Sequence, residues 1–173
     1  MDEIKNQECP LCKKKTLTLI EDIKEIPHFG KCFLMSMSCS NCKYHKSDVE
    51  SEEQKEPCKI IFTIKNKKDA NVMVVKSSEA TVKIPQMRLS VTPGAGSIGY
   101  ITTVEGVLRR FKRTIENERD NAEDNDVKKK AKNLLKKFWK VECGEQELKI
   151  VIEDPSGNSA IISDKAEVSK LKQ

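Results

Sequence analysis

Apolar positions along this chain fall mostly in short runs cut by polar or turn residues, and one central stretch changes to a helical period. Near the N-terminus, Thr16 to Ile20 and Lys31 to Ser38 are β-prone, and Ile26-Pro27-His28-Phe29-Gly30 between them holds the proline and glycine expected where a chain reverses. Further on, Ile60 to Ile64, Val72 to Val75, Ala80 to Ile84 and Leu89 to Val91 are short, β-branched and closely spaced, which predicts an antiparallel sheet or small barrel. Val104, Val107, Leu108, Phe111 and Ile115 then recur on one helical face, with Thr102 and Glu105 at the T-x-x-E spacing of a capping box. After the polar stretch Asn117 to Asn125, a second stripe of Val127, Ala131, Leu134, Leu135 and Phe138 follows, with Asp124 and Asp126 near its start. Two helices joined by a polar turn make a hairpin. Strand character returns at Leu148 to Ile152 and Ser159 to Ile162, on either side of the turn sequence Asp154-Pro155-Ser156-Gly157-Asn158. The expected class is mainly β, with a helical hairpin inserted at about 102–140.

The cysteines give the first two runs a purpose. Cys9-Pro10-Leu11-Cys12 and Cys39-Ser40-Asn41-Cys42 bracket them as two C-x-x-C loops, the shortest common turn that aims two sulfurs at one point. Thiolates bind zinc at about 2.3 Å in a tetrahedron, so Cys9, Cys12, Cys39 and Cys42 are expected to hold one Zn²⁺ in a zinc ribbon. A complete Cys₄ shell leaves no open position for water or substrate, which points to a structural ion whose binding contributes to folding. Four thiolates on a divalent ion leave a formal charge of minus two, and Lys13, Lys14, Lys15 and Lys43 lie beside it in sequence. The charged stretch Ser47 to Glu56 has the composition of a linker, dividing the chain into a zinc ribbon at 1–48 and a β domain at 49–173.

Composition narrows the class. With 37% hydrophobic and 34% charged residues, the chain is expected to be soluble with a modest core. No run approaches the roughly 20 apolar residues that span a bilayer, and Met1 to Glu8 has no hydrophobic segment of the signal-peptide kind. A cytoplasmic location is the expectation, and in that reducing compartment closely paired cysteines, within an odd total of 7, are metal ligands rather than disulfides. The net charge of +5 is local: from Leu108 to Lys140 there are 12 Lys and Arg against 6 Asp and Glu, so the rest of the chain carries 20 against 21. Such a basic face suits an acidic protein, RNA or a membrane surface, or is simply solvated.

Other motifs carry less. Gly94-Ala95-Gly96-Ser97-Ile98-Gly99 matches G-x-G-x-x-G, but Tyr100 and Ile101 stand between it and the helix, and no βαβ unit frames it, so it is expected to be a glycine-rich turn. Cys32, Cys58 and Cys143 stand alone and are expected to be small buried hydrophobes. His28 and His45 lie near the metal module, but two complete C-x-x-C pairs leave them no ligand role. No Ser, His and Asp set and no histidine cluster is evident, so no catalytic residue, enzyme activity or small-molecule substrate is expected.

Three segments together resemble a known family: the Cys₄ ribbon containing Ile26-Pro27-His28-Phe29, the segment Thr102-Thr103-Val104-Glu105-Gly106-Val107-Leu108 after a glycine-rich turn, and Asp154-Pro155-Ser156-Gly157-Asn158-Ser159. In that order, over residues 9 to 159, they are similar to the ZPR-type zinc-finger proteins. The resemblance implies a zinc finger like that of an initiation factor, followed by a double-stranded β-helix domain carrying a helical hairpin. Eukaryotic members have two such modules and bind translation elongation factor 1 alpha, assisting its folding; this chain has one and looks like the archaeal form. The function so implied is a zinc-binding interaction or chaperone-like protein acting on that elongation factor. The alternative is a zinc-ribbon module that binds nucleic acid, RNA in particular.

Overall fold

The computed structural model describes residues 1–26, 30–51 and 55–171. In chain order its strands and helices are β1 (Asp2–Glu8), β2 (Lys15–Ile26), β3 (Gly30–Cys39), β4 (His45–Ser51), β5 (Cys58–Ile64), β6 (Met73–Lys76), β7 (Thr81–Ile84), β8 (Leu89–Val91), β9 (Tyr100–Thr103), α1 (Val104–Asn121), α2 (Asn125–Cys143), β10 (Leu148–Asp154), β11 (Ala160–Ile161) and β12 (Glu167–Lys170). Short 3₁₀ turns occupy Lys67–Asn71 and Pro85–Met87.

β1 to β4 form one antiparallel meander in sequence order. β2 and β3 are the long hairpin expected around the cysteines, in a register from Leu17 opposite Cys39 to Ile26 opposite Gly30. The expected reversal at Pro27, His28 and Phe29 lies outside the described residues. Ser47 to Ser51, expected in a linker, instead continue β4 across the division at 48, pairing with β3 from Ser47 opposite Ser36 to Ser51 opposite Cys32. Their charged side chains suit an edge strand, where one face stays in water.

The rest is a double-stranded β-helix, or jelly roll, of a five-stranded sheet ordered β12-β5-β10-β7-β8 and a three-stranded sheet ordered β11-β6-β9. β5 and β10 lie at its centre because their buried positions face one another: Ile60 opposite Ile152, Phe62 opposite Ile150 and Ile64 opposite Leu148. Val82 and Ile84 of β7 and Val74 of β6 complete that core.

The helical hairpin leaves the small sheet at β9 and returns to the large one at β10. Its apolar stripes, Val104, Val107, Leu108, Phe111 and Ile115 on α1 and Ala131, Phe138 and Val141 on α2, join the same core. The expected capping box is corrected by one residue. Thr102 is still in β9, opposite Val74, and the extended Thr103 is the N-cap, its Oγ1 accepting from the Gly106 amide at 3.2 Å. Strand pairing through Thr103 delays the helix, and Glu105 pairs with Arg109 one turn on rather than closing a box. Asp124 caps α2 by accepting from the Asp126 amide at 2.7 Å, and Gly144 ends it in the left-handed conformation at φ 79°.

Two glycines lie where the jelly roll meets the ribbon and the connection that follows it. A Cβ on Gly99 would lie 2.2 Å from the Val49 carbonyl oxygen of β4, and the Gly99 amide donates to Asp48 Oδ1 at 2.8 Å. A Cβ on Gly157, at φ 70°, would lie 2.3 Å from the Glu56 carbonyl oxygen, and the nearby Lys55 amide donates to Ser156 O at 3.0 Å. Cys32 of β3 is fully buried in the same joint, with Val75, Val49, Ile101 and Ala160. The G-x-G-x-x-G segment thus comes into close backbone contact with β4 of the ribbon, and the D-P-S-G-N-S segment with the connection just before β5. Gly94 and Gly96 meet nothing, as suits a surface turn.

Candidate metal centre

Each C-x-x-C loop closes in the same way. The Lys13 amide donates to Cys9 O at 2.9 Å and the Lys43 amide to Cys39 O at 3.1 Å, with both lysines left-handed at φ 59° and 62°. The chain then turns back, Cys9 N donating to Lys14 O and Cys39 N to Tyr44 O at 2.9 and 2.8 Å. One knuckle precedes β2 and the other follows β3, so the β2–β3 register carries the two loops to the same end of the hairpin. Ser40 N donates to Thr16 O at 3.1 Å and Lys14 Nζ to Asn41 Oδ1 at 3.1 Å, tying one loop to the other.

The four sulfurs of Cys9, Cys12, Cys39 and Cys42 lie within 4.8 Å of one another. Cys9 Sγ is 3.6 Å from Cys42 Sγ, and Cys12 Sγ is 3.7 Å from Cys39 Sγ. A regular tetrahedron with metal–sulfur bonds of about 2.3 Å has edges of about 3.8 Å, which both of these spacings match, so the cage suits zinc. Among the described residues it is the one cluster of three or more His, Cys, Asp or Glu side chains arranged to hold a metal. Cys9 and Cys39 are buried over Leu17, with Leu19, Met37 and Tyr44 packed alongside, while Cys42 faces solvent.

The electrostatics of the cage favour a cation. The Cys42 amide at 3.5 Å and the Thr16 hydroxyl at 3.2 Å hold the Cys39 thiol down at about 6, a thiolate at neutral pH. The Lys14 amide, ahead of the Cys42 and Cys9 sulfurs, lowers Cys12 against the effect of burial and of Cys39. Cys42 goes the other way: the Tyr44 amide opposes the change, but loss of water and the three adjacent sulfurs push it up to about 12. Four negative charges this close cannot coexist without a cation between them.

Thr16 and Tyr44, which support the cage from second positions, carry no sequence signal beyond lying next to a knuckle. His45 points to Ser38, its Nδ1 2.9 Å from Oγ, and is not part of the cluster; His28 lies outside the described residues. Burial pushes the Cys32 and Cys58 thiols up. Asp154 of the D-P-S-G-N-S segment is fully buried. Burial would raise its carboxyl, but the flanking hydroxyls of Ser159, Ser156 and Ser77 hold it low, and Ser156 donates to Oδ1 through both its amide and its hydroxyl at 2.9 and 2.7 Å.

A four-cysteine ribbon standing on a jelly roll with a helical hairpin defines a zinc-finger protein of a particular architecture. Residues 3–57 match the ZPR1 zinc-finger domain and residues 68–172 the ZPR1 jelly-roll domain. A ZPR1-like protein of Methanocaldococcus jannaschii is 34% identical over 182 residues, covering 100% of this chain and 92% of that protein. Another, of Pyrococcus horikoshii, is 34% identical over 175 residues, covering 99% of this chain and 78% of that protein. The chain therefore belongs to the ZPR1 zinc-finger family. The zinc finger chaperone zpr1 of Schizosaccharomyces pombe is 31% identical over 157 residues, which is 88% of this chain and 33% of the yeast protein.

Proposed function

We propose that the chain is a cytoplasmic, non-enzymatic protein-binding or chaperone-like protein that holds one structural zinc and acts on translation elongation factor 1 alpha or its archaeal counterpart. The observation that carries this reading is the four-sulfur cage at the end of a ribbon in a family with a named zinc finger chaperone. Cys9, Cys12, Cys39 and Cys42 would hold the ion. When bound, zinc supplies a fixed tetrahedral node that locks together the two loops already aligned by the β2–β3 register. The chain's own residues then present the ribbon surface: β1 to β4 keep the knuckles in register, and the Gly99 contact with β4 seats the ribbon on the jelly roll.

The elongation factor follows from the family resemblance. Its test is a pull-down from native extract with the zinc-loaded chain as bait and purified factor as competitor. The expected result is enrichment that competitor abolishes and zinc stripping reduces. Equal recovery on loaded and stripped bait, or no recovery of the factor, contradicts the proposal.

A further inference from the structure

The hairpin buries its apolar stripes, and the opposite side of α2 has a separate pattern. The helix contains seven lysines and two acidic residues, Asp126 and Glu142. At 100° per residue, Lys128, Lys129, Lys132, Lys136, Lys140 and Trp139 fall in one arc of about 120°, and neither acidic residue does. Glu142 is engaged by Lys112 of α1 at 2.7 Å, whereas none of the five stripe lysines forms an ion pair with a described residue. Trp139, the one tryptophan of the chain, is 57% exposed within this stripe. Indole is usually among the most buried side chains, and adjacent lysines without carboxylates repel one another. Both costs are relieved by a polyanion that also offers flat aromatic surface.

We propose that the lysine stripe of α2 binds single-stranded RNA, the ammonium groups holding successive phosphates and the Trp139 indole stacking on an unpaired base. The stripe runs about 18 Å from Lys128 to Lys140, facing about five phosphates of a stacked strand. A duplex keeps its bases stacked on one another and leaves the indole without a partner, and unpaired stretches accessible to aromatic side chains are characteristic of RNA. An acidic protein would satisfy the lysines but not the ring. The α2 stripe is remote in sequence from the cysteine cage, and RNA binding there does not depend on the cage's partner.

The test uses the full zinc-loaded chain and an oligo(U) RNA of about 12 nucleotides. Under excitation at the red edge of indole absorption, where Tyr44 and Tyr100 do not absorb, emission comes from Trp139 alone, so stacking should quench it, while anisotropy of labelled RNA gives the affinity. The slope of log K against log salt should lie between about −2 and −3.5. Trp139→Ala should weaken binding roughly 5- to 100-fold with the slope unchanged, and Trp139→Phe should restore most of it. Lys132→Ala with Lys136→Ala should make the slope shallower by about 1.4 units. All three variants change exposed side chains and should unfold at the wild-type temperature, a control read alongside. Unchanged emission at saturating RNA, or wild-type affinity in Trp139→Ala, overturns the proposal. So does equal binding of polyglutamate, of phosphatidylserine vesicles or of a matched RNA duplex.

Discussion

Gly99 matters because its missing side chain lets β9 approach the ribbon backbone. A methyl there would sit 2.2 Å from the Val49 carbonyl oxygen, and a backbone atom cannot step aside as a flexible side chain can. Gly99→Ala should therefore cost about 1–3 kcal/mol in urea unfolding. Gly94→Ala and Gly96→Ala, where nothing lies within 4 Å, should stay within about 0.5 kcal/mol. Equal effects at all three positions would show that the turn itself, not the close approach, is the constraint. The helix cap offers a similar contrast. Thr103→Ala should cost about 1 kcal/mol, and Thr103→Ser should recover most of it, because the Gly106 amide needs a side-chain oxygen at the N-cap.

At the scale of elements, the core strands and both helices are legible in the sequence because each has a buried face and hence a period, and the long hairpin because its β-prone runs flank a turn and end at the C-x-x-C loops. β1, β4, β9 and β12 are not. Asp2–Glu8 and Glu167–Lys170 are exposed along their whole length, and an edge strand with no buried side leaves no hydrophobic alternation to read. Tyr100 to Thr103 carry β-prone residues, but the helical period starting at Val104 adjoins them directly, and the boundary there depends on pairing with β6. The four ligand cysteines are legible because ligand spacing is local to each loop, whereas Thr16 reaches Cys39 only through the β2–β3 register, and Tyr44 acts through its backbone, which no residue type signals. Truncating the core where the elements converge should be severe: Phe62→Ala, at a position with no exposure, should cost about 3–5 kcal/mol.

Over the whole molecule, stability depends on buried or paired carboxylates and on the sulfur cage. Asp69 is almost fully buried: burial would raise its carboxyl, but Lys165 at 2.7 Å and the Lys65 and Asn66 amides hold it low. Lys83, then Lys59, lowers Glu153 against the effect of burial, and Asp154 is lowered as described. Folded-state values below the unfolded ones, which lie near 3.9 for Asp and 4.3 for Glu, give stability that is complete above those values and lost as pH falls through the folded ones. The urea midpoint of the jelly roll should thus change little from about pH 8 to 5 and drop below about pH 4, with a smaller drop in Asp69→Asn. The cage answers to a different variable, the metal. Elemental analysis of native protein, paired with thermal unfolding of Cys9→Ser and Cys39→Ser, tests the central claim most directly. Zinc at one equivalent per chain, lost from both variants together with ribbon stability, is the expected result. Protein without stoichiometric metal, whose unfolding is unchanged by either substitution, would contradict it.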